Sequence, residues 1–280
     1  MQTSIRHSTK ATARNGDFLS LDDMRRAAPA IFAESAHESR SSRYGFIPTE
    51  RMISGLMAEG FQPVSVQQAN SRTEGKELAG KHLIRFRHAG THQVNDVFPE
   101  VVLLNSHDGS SSYQLMSGMF RLVCLNGLIT CAGEQDSIKI LHKANALDQV
   151  IEGSYSIIEK APAILDAMQE MQSVDLNREE RTIFNRAALA LRYENEEASP
   201  INPSDLERVR RTEDVGPDLW RTFNRTQENI IQGGLNGFRT DANGRRKQTR
   251  TREIKGIDQT VSLNRGLWIL AEEMRKLKAA

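Results

Sequence analysis

The sequence predicts an α+β protein: an antiparallel β-meander preceded by short helices, then a C-terminal helical region. Two observations carry this. Between Phe61 and about residue 131, apolar residues recur with a period of two, broken by turn signals such as Asp108-Gly109 and Asn126-Gly127. After about residue 145 they recur at helical spacing, with Pro200 and Pro203 interrupting the run. A chain of 280 residues is long enough for one large domain or two small ones. The expected division is an arm over 1–19, a sheet region over 20–144 and a helical region over 145–280.

Taken in order, residues 1–19 are polar and aperiodic, which predicts a flexible arm. Ser20 and Asp23 have capping-box spacing at the head of a helix running toward Ala33, and Pro29 should interrupt it. A polar connector over 34–48 leads to Thr49, the expected cap of a short amphipathic helix that buries Met52, Ile53, Leu56 and Met57. Phe61, Val64 and Val66 then open a strand. Residues 81–88 alternate, with His82, Ile84, Phe86 and His88 on one side and Leu83, Arg85 and Arg87 on the other. Segments 100–105, 113–124 and 128–131 read as further strands. Helices are expected over 146–173, 177–194, 204–212, 217–234 and 260–278, with a basic exposed loop over 239–256. The last helix has a wide apolar face (Leu263, Leu267, Trp268, Leu270, Ala271, Met274 and Leu277), read as core rather than as an oligomer contact.

Composition narrows the function classes. No stretch approaches the roughly 18 consecutive apolar residues of a membrane span. The first 18 residues lack the apolar centre of a signal peptide. Cys124 and Cys131 make neither a disulfide framework nor a C-x-x-C pair. A cytoplasmic protein without membrane contact is expected. Net charge is only +1, but its distribution is uneven. Residues 236–256 hold seven Lys or Arg against two acids, and residues 137–204 hold seven against eleven. One region should attract phosphates while another repels them.

No catalytic constellation stands out. His82, His88, His92 and His107 lie near Asp96 and Asp108, but no helix presents a ligand pair, so packing or surface roles are expected rather than a metal. Asp108-Gly109 followed by serines is explained by a β-turn. Cys124 sits among apolar neighbours and is expected to be inert. There is no G-x-S-x-G and no phosphate-binding glycine loop, so no cofactor is expected.

The basic residues are more informative. Arg85 and Arg87 share a strand face at about 6–7 Å, close to the spacing of successive phosphates. Arg121 stands beside Phe120 and near Tyr113, a cation next to rings on which bases stack. Arg245, Arg246 and Lys247, with Arg250 and Arg252, form a candidate clamp on a nucleic-acid backbone.

Several long motifs resemble the domain of unknown function 932 family. They are Ala28-Pro29-Ala30-Ile31-Phe32-Ala33, Ser42-Arg43-Tyr44-Gly45-Phe46-Ile47-Pro48-Thr49, and Lys81 through Arg87. Asn105-Ser106-His107-Asp108-Gly109, Phe120 through Leu128, and Leu263-Asn264-Arg265-Gly266-Leu267-Trp268 extend the resemblance over nearly the whole chain. It implies a family carried by phages, plasmids and integrated elements, and it implies no activity. The order of elements, a short helix feeding three antiparallel strands, also resembles the core of single-strand annealing recombinases (the RecT, Red-beta and Erf class). That likeness is one of topology.

The leading expectation is therefore a mobile-element protein that binds single-stranded DNA, annealing or protecting it as a homo-oligomer. The alternative is a protein-binding module that blunts host defence or modulates replication through its acidic helical half. A metal-dependent nuclease using Glu100, His107 and Asp108 is the third reading.

Overall fold

The computed structural model describes residues 10–13, 17–41, 44–70, 76–91, 93, 97–121, 127–130 (backbone only), 137–141, 143, 145–193, 198–240 and 243–279. The chain divides into two compact units, residues 1–161 and 162–280. The division falls inside one long helix, at Pro162, whose ring removes a backbone donor.

The first unit is built on an antiparallel sheet. Its strands are β1 (Lys10–Thr12), β2 (Phe61–Gln68), β3 (His82–His88), β4 (Val97–Asn105), β5 (Tyr113–Arg121) and β6 (Gly127–Thr130), paired in that order. A further strand, β7 (Ile138–Ile140), pairs with the opening residues of β5. The meander expected from the alternation is present. The arm is corrected: Lys10–Thr12 pairs with β2 as an edge strand, and Ala11 and Ala13 pack against the core.

One sheet face carries Val66, Ile84, Phe86, Val101, Leu103 and Leu115. Against it pack α1 (Leu21–Ala27), a 3-10 turn (Pro29–Phe32), α2 (Thr49–Ala58) and the start of α3 (Ala146–Ser173). Ser20 and Asp23 form the expected capping box, and Pro29 ends α1 as expected by opening the 3-10 turn. Met24, Ile31, Met52, Ile53, Leu56 and Val150 fill the interface. Each such side chain contributes about 1.5–3 kcal/mol by leaving water.

The second unit holds the rest of α3, then α4 (Arg178–Ala190), α5 (Leu219–Gln232) and α6 (Ile257–Ala279). Asn177 and Glu180 cap α4 reciprocally. Two corrections apply. Residues 204–212 were expected to form a helix but give two short 3-10 turns, Pro203–Glu207 and Thr212–Asp214. The basic loop is a hairpin of β8 (Asn236–Thr240) and β9 (Arg246–Arg250). In α6, Leu263, Leu267, Trp268, Ala271 and Met274 are buried, as expected of core, but Leu270 is half-buried and Leu277, in the last turn, is exposed.

α5 is unusual because its polar side chains are buried too. Thr226 donates to Asn185 at 2.6 Å and Gln227 to Asn264 at 2.6 Å. Asn229 donates to the carbonyls of Leu206 and Arg208. Phe223 stacks on Trp220 and meets the edge of Trp268. Burying these groups is tolerable because they are hydrogen-bonded.

Candidate functional site

The strand arginines occupy a different setting from the open groove expected of them. Arg85 and Arg87 are only 8% and 7% exposed. Glu100, 1% exposed, reaches them from β4: Arg85 Nε donates to it at 2.6 Å and Arg87 Nη2 at 2.9 Å. The Arg85 guanidinium lies 4.1 Å from the centre of the Phe120 ring, and that of Arg87 lies 3.8 Å from the Phe98 ring. This is a buried ion cluster between aromatic walls, closed to a phosphate chain. Arg121, also buried, has the opposite strand parity to Phe120 and so projects from the other face of the sheet. The set Arg85, Arg87, Phe120 and Arg121 is thus not gathered in one groove.

Tyr113 is buried on the core face and belongs to a polar knot around Thr49. Thr49 was expected to cap α2, but it is the first helical residue, and no side chain caps that helix. Its hydroxyl lies 2.9 Å from His82 Nε2, 3.1 Å from His107 Nε2 and 3.2 Å from the Tyr113 hydroxyl, and it accepts from Asn105 Nδ2 at 3.1 Å. His82 Nδ1 sits 3.0 Å from the Gly80 carbonyl, which can only accept, so the proton is on Nδ1 and Nε2 accepts from Thr49. Full burial pushes His82 down to about 4, only partly offset by the Gly80 hydrogen bond. Tyr113 donates to the Ile47 carbonyl at 3.0 Å, and Tyr44 to that of Ser106 at 3.3 Å. The knot pins the 44–49 segment to the end of the sheet.

The proposed nuclease set does not assemble. Glu100 is held by Arg85 and Arg87, while His107 is buried beside His82 on the other face. Asp108 is in a turn, accepting from the Ser110 amide at 2.9 Å, with Gly109 at φ +75°. Among the described residues, no group of three or more His, Cys, Asp or Glu is placed to hold a metal. His92, Asp96, Cys124 and Cys131 lie outside the described residues.

The clamp residues are presented to solvent. Arg245, Arg246, Lys247, Arg250 and Arg252 are all exposed. Cross-strand register sets Phe238 opposite Gln248, Asn236 opposite Arg250 and Thr240 opposite Arg246, so these six share one face. Arg239 faces Lys247 on the other. Phe238 is 46% exposed, and the Arg246 guanidinium lies 4.0 Å from its ring centre. The hairpin is docked by its own backbone: Phe238 N–H donates to the Pro200 carbonyl at 2.8 Å. Arg250 donates to the Gly234 carbonyl, Arg210 to that of Gly233 and Arg192 to that of Ile230, covering the negative end of α5. Burial lowers the Arg210 pKa; nearby Glu228 opposes this, while Arg208, Arg211 and Arg250 push the same way. Arginine charge therefore continues from the hairpin to its base. Phe238 and Arg210 were not singled out from the sequence. The overlooked signal was Asn243-Gly244, a hairpin dipeptide, with Gly244 at φ +75°.

A model of the family described as domain of unknown function (DUF932) matches residues 36–268. The chain belongs to this family. Two relatives from Escherichia coli (strain K12), the UPF0380 proteins YafZ and YfjQ, are each 40% identical over 256 residues. Each alignment covers 91% of this chain and 91% of the relative. No solved structure matches. The DUF932 match includes both the pinned 44–49 segment and the hairpin. Among the described residues, no helix is long and apolar enough to cross a membrane.

Proposed function

We propose that the protein binds single-stranded nucleic acid, with DNA as the expected substrate, through the 236–250 hairpin. The observation that carries this is Phe238, a ring exposed on a ribbon rich in cations and covered on one side by Arg246. An aromatic face beside arginines suits an unpaired base, which stacks on the ring while the guanidinium groups neutralise phosphates. Asn236 and Gln248 supply donors and acceptors on the same face. A duplex offers the phosphates but keeps its base faces stacked, so the ribbon favours single strands. Strand annealing or protection requires this kind of hold, and hairpins repeated in a homo-oligomer would extend it along one strand. Arg85, Arg87, Tyr113, Phe120 and Arg121 are left out of the interface because they are buried.

The test is fluorescence anisotropy with a labelled oligonucleotide and its duplex. Tighter binding of the single strand is expected. Phe238→Ala should weaken it about tenfold, given about 1–3 kcal/mol per stacked base, and Phe238→Trp should retain it. No binding at low salt, or equal affinity of the wild type and Phe238→Ala, overturns the reading.

A further inference from the structure

We propose that a pocket in the first unit, at the heads of α2 and α3, binds a small organic anion: a phosphate on a flat body of nucleoside-monophosphate size. The proposal is independent of the hairpin reading. The pocket has a volume of about 270 Å³. Phe46 and Ile47, just before α2, form one wall; Arg51 and Met52 come from its first turn, and Lys143 and Leu147 flank the start of α3.

Two observations point to an anion. Arg51 and Lys143 are exposed cations lining one pocket, and among the described residues neither side chain has a hydrogen-bond or ion-pair partner. Glu50, the nearest acid in the α2 sequence, is instead 3.7 Å from Arg25. Both helix N-termini add partial positive charge, and α2 has no side-chain cap on its first-turn amides.

The remaining lining points to an apolar, flat body. Met52 is buried and Leu147 partly buried, giving an apolar floor. The half-buried Phe46 ring is backed by His107 at 4.9 Å, and the Ile47 carbonyl is held by Tyr113. The wall is therefore fixed before a ligand arrives, which lowers the ordering cost of binding. A bare phosphate would engage only the cations, and an uncharged nucleoside only the wall. A ligand with both parts uses the whole pocket.

Isothermal titration of the full chain with adenosine 5′-monophosphate, inorganic phosphate and adenosine tests this. The monophosphate should bind at a single site, with phosphate and adenosine each weaker by about tenfold or more. Arg51→Ala and Lys143→Ala, both at exposed positions, should each weaken it about tenfold with unchanged thermal unfolding. Phe238→Ala should leave it unchanged, which separates the pocket from the hairpin. No heat from the monophosphate at millimolar concentration, phosphate binding as tightly as the monophosphate, or affinity retained in both pocket variants would each overturn the proposal. So would loss of binding in Phe238→Ala alone.

Discussion

Arg85 and Arg246 are both strand arginines over an aromatic ring, 4.1 Å from Phe120 and 4.0 Å from Phe238, yet only Arg246 faces solvent. The difference is Glu100, which lies 15 residues along the chain from Arg85 and is brought to it by the pairing of β3 with β4. Alternation in the sequence places Arg85 and Arg87 on one face correctly. It carries no information about which acid the neighbouring strand delivers or how deeply the pair is buried. Thr49 teaches the same lesson, because its partners His82 and Tyr113 are 33 and 64 residues away. The knot they form makes stability depend on pH. With His82 held at about 4 in the folded protein, against 6.5 for a free histidine, the unfolded chain binds the extra proton first as pH falls. Stability is therefore full above about pH 6.5 and declines toward pH 4. At about 1.4 kcal/mol per pH unit, this residue should cost about 2 kcal/mol between pH 7 and pH 5. Urea unfolding at those two pH values measures it, and His82→Gln should show a shallower dependence. Identical pH dependence in variant and wild type would refute the assignment.

The elements most legible in the sequence are those with enough apolar residues to set a period. β3 and β4 are buried on both faces, so β4 runs almost wholly apolar, while β3 still alternates because its second face sets Arg85 and Arg87 against Glu100. α3 repeats at helical spacing over 28 residues. The hairpin was missed because neither strand buries a face: β9 is Arg-Lys-Gln-Thr-Arg, with no apolar residue to set a period. β1 escaped notice for a different reason: Ala11 packs against the core, but three residues at a sheet edge are too few to set a period. Proline and polar residues over 203–214 support tight turns as readily as a helix, and packing decides between them. What holds the hairpin is an approach of backbone to backbone at Gly237, where a Cβ would lie 2.0 Å from the Pro200 carbonyl oxygen. Gly237→Ala must push β8 away and should cost about 1–3 kcal/mol. Hydrogen exchange at the Phe238 amide, the donor to Pro200, should accelerate in this variant and stay protected in Gln248→Ala. Unchanged exchange in Gly237→Ala would mean that the hairpin does not dock this way.

At the scale of the whole molecule, the net charge of +1 conceals a division of labour. Seven cations against two acids lie in residues 236–256, while residues 137–204 carry an excess of acids. A polyanion meeting this chain is drawn by the local excess and gains nothing from the total, so affinity should fall with salt more steeply than the net charge suggests. The slope of log affinity against log salt counts the phosphates neutralised, at about 0.7 each for a single strand. Arg245, Arg246 and Lys247 are all exposed, so replacing the three by alanine should leave the fold intact and make that slope shallower by about 2. Phe238→Ala should instead lower affinity by a similar factor at every salt concentration, because stacking releases no counterions. The two variants thus separate charge from stacking on one ribbon. A triple variant whose slope matches the wild type would place the phosphate contacts elsewhere, with the arginines at the base of the hairpin, Arg208 and Arg210, next to be replaced.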